Sequence, residues 1–191
     1  MKTKTLIFVV LTIGLTACEI TEPHSYSQDT YLSRSFNWVV NNSVEDGFSD
    51  VYSITVGKDT IINRKKYRLV DNYYPLRQTK DRIYLYDVKT KKEFLLYDFS
   101  LRVGETIEQR EDPLVGLPAR KAKVIKTETI TLLDGRKARR IEYEQTYPGP
   151  RAADIEYVGS EKKGILGPLD NSVHERTLVA LYDKDVLVYQ N

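Results

Sequence analysis

The feature that most limits what this chain can fold into is the alternation of apolar and polar side chains in several short segments. In residues 82–88, Ile83 and Leu85 fall on one face of an extended chain, while Tyr84 and Tyr86 fall on the other. A period of two is the signature of a strand with one buried face, and helical periodicity is missing throughout. We therefore expect an all-β fold.

Polar turns separate these segments at hairpin spacing. The sequence predicts four hairpins: 51–56 with 60–62 around Gly57–Asp59, 82–88 with 93–99 around Lys89–Lys92, 122–133 with 136–145 around Asp134-Gly135, and 178–182 with 186–189 around Asp183–Asp185. Asp-Gly predicts a type I′ turn, whose two central residues take positive φ. Because no helix-length crossover separates the strands, we expect an antiparallel meander of hairpins, curled into an open barrel or a sandwich.

The aromatic composition is dominated by tyrosine, with 14 tyrosines against five phenylalanines and one tryptophan. Tyrosine and the β-branched residues favour pleated, half-hydrated surfaces. Tyr73, Tyr74, Tyr84 and Tyr86 are candidates for a stacking platform that binds a glycan or a peptide. The favoured alternative is that they pack across strands with their hydroxyl groups at the rim.

The N-terminus has the three parts of a secretory signal. Lys2 and Lys4 precede an apolar run over residues 6–13, and small residues follow up to Cys18. The apolar run is too short for a spanning helix, which needs about 20 residues. We expect residues 1–17 to be removed during export.

The tetrapeptide 15–18, Leu-Thr-Ala-Cys, closely resembles the lipobox of bacterial lipoproteins. The resemblance implies cleavage between Ala17 and Cys18, a diacylglyceryl group on the Cys18 sulfur and an acylated amine. The partner of this end of the chain would then be a membrane. The alternative for Cys18, which is the only cysteine, is a buried small residue or a free thiol.

The residues after Cys18 bear on location and domain organisation. Glu19 and Glu22 loosely resemble the surface-export signal of lipoproteins from Bacteroidetes-type bacteria, which favours the outer membrane and leaves periplasmic or outward orientation open. Residues 18–30 are predicted to be a lipidated terminus and flexible tether. Residues 31–191 are predicted to form a single β domain.

Three segments resemble small uncharacterised secreted proteins and lipoproteins of Bacteroidetes-type bacteria. They are residues 93–106, residues 155–160 followed by 164–166, and residues 57–63 followed by Tyr67. The family usually has tryptophan at the position of Asp154 and glycine at that of Tyr157. The resemblance implies an exported β domain and supplies no activity, so no catalytic residue is carried over.

Charge argues against a nucleic-acid partner. Removing residues 1–17 takes away two lysines and no acidic residue, which leaves 27 basic and 27 acidic side chains. Nucleic-acid binding needs a clustered positive field. The basic run Arg136–Arg140 could meet anionic glycan or lipid head groups, but it alternates between two faces of a strand. We expect a charged edge or an exposed face there.

No constellation of residues specifies a reaction, so the sequence predicts no catalytic residue, no metal site and no cofactor. His24 falls in the tether and His174 in a loop without partners at ligand spacing, and a zinc site of histidine and cysteine is excluded by their number. The visible carboxylate pairs are Glu111–Asp112 and Glu142 with Glu144, and the second pair is typical of a solvated strand face.

Asp59-Thr60-Ile61 resembles the short O-glycosylation site of exported proteins in the same bacteria. It predicts a sugar on Thr60, in a hairpin turn.

The leading interpretation is a non-enzymatic cell-envelope lipoprotein whose β domain binds or scaffolds a partner at the outer membrane. One alternative is an envelope hydrolase that acts through carboxylates. A second is an inhibitor or accessory subunit that presents the Pro-rich loops 110–120 and 147–153 to a protein.

Overall fold

The computed structural model describes residues 31–33, 35–43, 49–109, 120–144, 153–167 and 175–191. These residues form thirteen β-strands and no α-helix. The strands are β1 (Phe36–Ser43), β2 (Ser49–Ile62), β3 (Lys65–Val70), β4 (Tyr74–Thr79), β5 (Arg82–Asp87), β6 (Lys92–Asp98), β7 (Thr106–Gln109), β8 (Arg120–Thr131), β9 (Lys137–Tyr143), β10 (Asp154–Ile155), β11 (Gly159–Ser160), β12 (Glu175–Asp183) and β13 (Val186–Gln190).

The strands form two antiparallel sheets. The larger has the order β13-β12-β1-β2-β3-β4-β5-β6, and the smaller has the order β11-β10-β9-β8-β7. From β1 to β6 each strand lies beside the next one in sequence, and β12 returns to pair with β1. The predicted all-β antiparallel meander is confirmed, and one of the sheets is curled into a half-barrel.

Contacts between distant strands show how strongly the larger sheet curls. Glu93 on β6 lies three strands from Lys65 and Tyr67 on β3. Three steps across a flat sheet span about 14 Å, because neighbouring strands lie about 4.8 Å apart. Yet the Glu93 carboxylate lies 2.5 Å from Lys65 Nζ and 2.8 Å from the Tyr67 hydroxyl. The face that carries these side chains is therefore concave, and we call it the concave face.

The main hydrophobic core draws side chains from both sheets. Trp38, Ile83 and Leu96 come from the larger sheet, and Val124 and Ile141 from the smaller one. The predicted alternation of β5 places Ile83 and Leu85 in this core. When two sheets pack together, each buries one face. Strands whose apolar and polar side chains alternate supply one such apolar face.

The segment 153–167 joins the smaller sheet to the larger one. The Trp38 indole N–H donates to the Val158 carbonyl at 2.9 Å. The buried Tyr97 hydroxyl lies 3.0 and 3.1 Å from the carbonyl oxygens of Gly164 and Ile165, and it accepts the Ser160 N–H at 3.2 Å. We call this set of contacts the seam.

Residues 31–33 and 35, which precede β1, are called the clasp here. Leu32 is fully buried, and Arg68 donates a hydrogen bond to its carbonyl. The Tyr31 ring packs edge-on against Phe99 and Tyr157 at 5.1 and 5.2 Å. Tyr31 and Leu32 are therefore part of the hydrophobic core.

Two predicted hairpins are present as expected, with turns after β5 and after β12. The turn Lys184-Asp185 has φ of 49° and 69°, as a type I′ turn requires.

The turn predicted at Gly57–Asp59 is wrong, because β2 continues through it to Ile62. Between Val56 and Asp59 the register with β3 shifts, so the glycine marks a bulge. A Cβ on Gly57 would lie 3.2 Å from the Leu69 carbonyl oxygen and 2.9 Å from Asn72 Oδ1, so the glycine allows β3 and its turn to approach closely. The chain turns instead at Asn63-Arg64, both at positive φ.

The predicted turn at Asp134-Gly135 is in place, but its type is wrong. Gly135 has φ of 87°, whereas Asp134 is not at positive φ, and the Gly135 N–H donates to the Leu132 carbonyl at 2.9 Å. This is the three-residue loop in which a type I turn is followed by a left-handed glycine.

We predict that Gly159→Ala is severely destabilising and that Gly104→Ala is not. Both glycines have φ near 90°, but an added Cβ at 159 would lie 2.7 Å from the Gly164 carbonyl oxygen, whereas the space at 104 is open. Both substitutions add backbone strain of about 1–2 kcal/mol. Gly159→Ala should cost at least about 2 kcal/mol more, because backbone must move.

Urea unfolding of the two variants beside the wild type would measure this difference. Equal losses of unfolding free energy in the two variants would show that the close approach of residue 159 to the Gly164 backbone does not contribute to stability.

Candidate binding face

Six side chains from four neighbouring strands meet on the concave face. Alternation along β3, β4, β5 and β6 places them on the face opposite the main core, and the curl then draws them into contact. They are Lys65, Tyr67, Arg77, Tyr84, Tyr86 and Glu93.

Glu93 is the centre of this face. Its carboxylate accepts hydrogen bonds from Arg77 Nε at 2.6 Å, Lys65 Nζ at 2.5 Å and the Tyr67 hydroxyl at 2.8 Å. Burial raises the pKa of Glu93, but the hydrogen bonds from Arg77, Lys65 and Tyr67 outweigh it and lower the pKa to about 2. Burial, with the bond to Glu93, raises the pKa of Tyr67 to about 12.

Aromatic rings complete the concave face. The Arg77 guanidinium lies 4.7 Å from the centre of the Tyr84 ring, within the range of a cation–π contact. The rings of Tyr67 and Tyr86 are 5.7 Å apart. Glu93 stays ionised and Tyr67 stays neutral near neutral pH, so neither can exchange a proton with a substrate there.

The four predicted tyrosines lie at two places rather than on one platform. Tyr84 and Tyr86 belong to the concave face, where Tyr86 is buried. Tyr74 packs against the main core, and Tyr73 beside it is 68% exposed. The rings of Tyr73 and Tyr74 meet edge-on at 4.9 Å. Among these four side chains, Tyr73 is the one that a ligand reaches most readily.

The turn that carries Tyr73 is tightly held. Asp71 and Asn72 both take positive φ, and the Tyr73 N–H donates to the Val70 carbonyl at 3.2 Å. The Asp71 N–H donates to the Thr55 carbonyl on β2 at 2.9 Å. Tyr73 is thus an exposed aromatic ring on a turn bonded to two strands.

Thr60 does not lie in a hairpin turn, which corrects the predicted setting of the sugar. It is half-buried within β2, opposite Tyr67 of β3. Its neighbour Asp59 pairs with Lys66 at 3.0 Å and Arg68 at 3.5 Å. A sugar on Thr60 would have to be carried on a paired strand.

In the basic run 136–140, Lys137 is exposed, but the arginines form neither the charged edge nor the exposed face that the sequence predicts. Arg136 pairs with Asp183 at 3.1 Å, and its guanidinium lies 5.2 Å from the centres of the Phe36 and Tyr157 rings. Arg139 donates to the Phe99 and Leu101 carbonyls at 2.8 and 2.5 Å. Arg136 and Arg139 therefore connect the smaller sheet to the larger one. Strand alternation alone does not predict these long-range contacts.

The carboxylates of β8 and β9 also form ion pairs. Arg140 pairs with Glu161 at 3.0 Å, with Glu128 at 2.8 Å and with Glu142. A hydrogen bond from Arg140 lowers the pKa of Glu142, and one from Lys126 lowers that of Glu128. Glu144, the other member of the predicted pair, follows the end of β9 and is exposed.

Several predicted residues lie outside the described part of the chain. These are Ala17, Cys18, His24, Glu111, Asp112 and His174, and the Pro-rich loops lie largely there too. Within the described ranges, no three histidine, cysteine, aspartate or glutamate side chains are placed to hold a metal ion. The same ranges contain no helix that is long and apolar enough to cross a membrane.

Comparison with protein-family models, curated proteins and solved structures finds no match to this chain.

The Glu93 cluster predicts a pH-dependent loss of stability. A carboxyl whose folded pKa lies below its unfolded value stabilises the fold above the unfolded pKa, and this contribution is lost as the pH falls through the folded pKa. For Glu93 the window runs from its ordinary value of 4.5 down to about 2. The contribution at neutral pH is on the order of 3 kcal/mol.

We therefore expect Glu93→Gln to be less stable than the wild type at pH 7, with a gap that closes as the pH falls towards 2. Chemical unfolding at a series of pH values measures this gap. Glu108→Gln, at an exposed position on β7, is the control and should follow the wild type. A gap that stayed constant with pH would contradict the role given to the Glu93 charge.

Proposed function

We propose that this protein is a lipid-anchored cell-envelope protein whose β domain acts as a non-enzymatic binding or scaffold module at the outer membrane. The observation that carries the proposal is the sequence pattern of residues 1–18, in which two lysines, a short apolar run and small residues precede a lipobox-like Cys18. Twelve residues, 19–30, lie between Cys18 and Tyr31, where the clasp begins. The anchor and the folded domain are therefore close along the chain.

The lowered pKa values of three carboxylates on the strands support a binding function rather than a hydrolytic one. A glycosidase needs one carboxylic acid that holds a proton near neutral pH. Glu93, Glu128 and Glu142 each accept hydrogen bonds from lysine or arginine side chains, which hold their pKa values below the ordinary range. Such carboxylates are poor proton donors, so these strand faces favour a structural role.

Tyr73 is the side chain that best suits contact with a partner. A tyrosine offers a large amphipathic surface at low cost in conformational entropy, and aromatic anchors of this kind dominate many interfaces. Its turn is bonded to Val70 of β3 and Thr55 of β2, so the exposed ring is held at a fixed place on the sheet. We infer that Tyr73 contacts a glycan of the envelope by stacking.

Replacement of the anchor cysteine should release the protein from the membrane. We expect wild-type protein in the membrane fraction and Cys18→Ala in the soluble fraction after cell lysis, because several acyl chains make anchoring effectively permanent. Ala17→Gly keeps a small residue before the cysteine and is the matched control, which should remain in the membrane. A Cys18→Ala protein that stayed with the membrane would oppose a lipid anchor.

Replacement of Tyr73 should weaken binding to envelope glycan. With the soluble Cys18→Ala chain and immobilised lipopolysaccharide as the probe, we expect Tyr73→Ala to lower affinity by about tenfold or more. Val51→Ala is the control, since Val51 is 64% exposed, close to the 68% of Tyr73. Equal binding by wild type and Tyr73→Ala, or equal loss in both variants, would argue against a specific contact at Tyr73.

A further inference from the structure

One part of the larger sheet, formed by β1 with the adjoining parts of β2 and β12, has no charged side chain at the described positions that point away from the main core. The register aligns three such positions on each strand, and all nine hold uncharged residues. Charged residues make up 29% of the chain, so this surface departs from the average. The polar residues on it are Asn37, Asn41, Ser53, Thr55, Thr177 and Tyr182. Depletion of charge is typical of the centre of a binding interface.

A hollow lies beside this surface, between β1, the clasp and the β12–β13 turn. It has a volume of about 310 Å³. Protein sites for small ligands begin at about this size. The Lys184 N–H donates to the Ser35 carbonyl at 3.2 Å, which fixes the turn against the clasp. The described residues that line the hollow are Ser35, Asn37, Val39, Tyr182, Lys184 and Asp185.

Asn37 is the lining residue whose chemistry points to a ligand. It is half-buried and lies between Tyr182 on β12 and Thr55 on β2. Its Oδ1 atom is buried and has no hydrogen-bond partner among the described residues. A buried amide oxygen without a partner costs stability and is rare in folded proteins. No bond within the described chain fixes this amide, so rotation about its last torsion presents either its oxygen or its nitrogen to the hollow.

The lining also limits the charge of a ligand. Lys184 and Asp185 carry opposite charges and are both exposed, so the described lining favours neither an anion nor a cation. The Asn37 amide offers a donor and an acceptor, which matches a hydroxyl group because a hydroxyl both donates and accepts. Tyr182 adds an aromatic ring with a polar tip. Neighbouring hydroxyl groups on a ring with an apolar face are the chemistry of a sugar.

We propose that the hollow binds a neutral sugar residue, with sugar hydroxyl groups paired to the Asn37 amide and the sugar ring against Tyr182. The inference goes beyond the proposed contact at Tyr73, which is not among the described residues that line the hollow. It does not depend on the lipid anchor.

NMR titration tests this pairing at the atoms concerned. The probes are glucose, galactose, mannose and N-acetylglucosamine, each added separately in the millimolar range to the isotope-labelled Cys18→Ala chain. We expect at least one of them to shift the side-chain amide resonances of Asn37 and to leave those of Asn41 in place. Asn41 is the internal control, because its Oδ1 is also buried without a partner among the described residues and it lies about 14 Å along β1 from Asn37, outside the hollow.

Substitution separates recognition from folding. Asn37→Ala should lower the affinity for the sugar that binds by at least about fivefold, because the hydrogen bonds of the amide are lost. Asn41→Ala is the matched control and should bind as the wild type does. Neither substitution should lower the urea midpoint, because each removes a buried oxygen that has no partner in the described chain. Asn37→Asp keeps the shape and removes the donor, and it replaces Asn37→Ala if that variant fails to fold.

Absence of a shift at Asn37 with all four sugars would overturn the proposal, and so would equal shifts at Asn37 and Asn41. Shifts caused by free glycine and by none of the sugars would also overturn it, since they would assign the hollow to a zwitterion held by Lys184 and Asp185. Tyr73→Ala should leave the Asn37 shifts unchanged. A failure of Tyr73 to bind lipopolysaccharide would therefore oppose the proposed function and leave the result at Asn37 standing.

Discussion

The contacts of Trp38 and Tyr97 with the segment 153–167 are the interaction on which the rest of the structure depends. Both side chains are fully buried and both come from the larger sheet. They bind backbone groups of the segment that ends the smaller sheet, through the Val158 and Gly164 carbonyls and the Ser160 N–H. Buried backbone groups without partners are costly, so these bonds fix where the smaller sheet lies.

The seam leaves no room for ordinary side chains at its closest points. Gly164 takes φ of 70°, and a Cβ there would lie 3.2 Å from the Trp38 ring. The clasp enters beside this seam, where Tyr31 meets Tyr157 and donates a hydrogen bond to Glu156. The part of the chain nearest the proposed anchor is therefore also part of the junction between the sheets. A force applied along residues 18–30 would act on that junction.

Local patterns predicted the regular parts of the fold well. The β5–β6 and β12–β13 hairpins follow from alternation broken by short polar turns, which is information contained in neighbouring residues. The β2–β3 turn escaped prediction because Asn63 and Arg64 carry the positive φ while Gly57, the stronger turn signal, lies in a bulge. A glycine in a strand reports a close approach by another segment, which a local pattern does not identify.

The candidate binding face was predictable only in part. Alternation placed Tyr84 and Tyr86 on one face of β5, and the structure has them there with Arg77 and Tyr67. The contact of Glu93 with Lys65 depends on the curl of four strands, and no local pattern encodes that curl. The arginines at 136 and 139 were misjudged for the same reason, since their partners are far away in sequence.

The central claim is that this β domain is held to a membrane through Cys18, and the intact mass of the protein extracted from the envelope fraction tests it most directly. The account predicts a chain that begins at Cys18 and carries the added mass of a diacylglyceryl group and an amine-linked acyl chain. A mass equal to the unmodified chain, cleaved or uncleaved, would contradict the account. It would leave a β domain with a tyrosine-bearing turn but no reason to place it at a membrane.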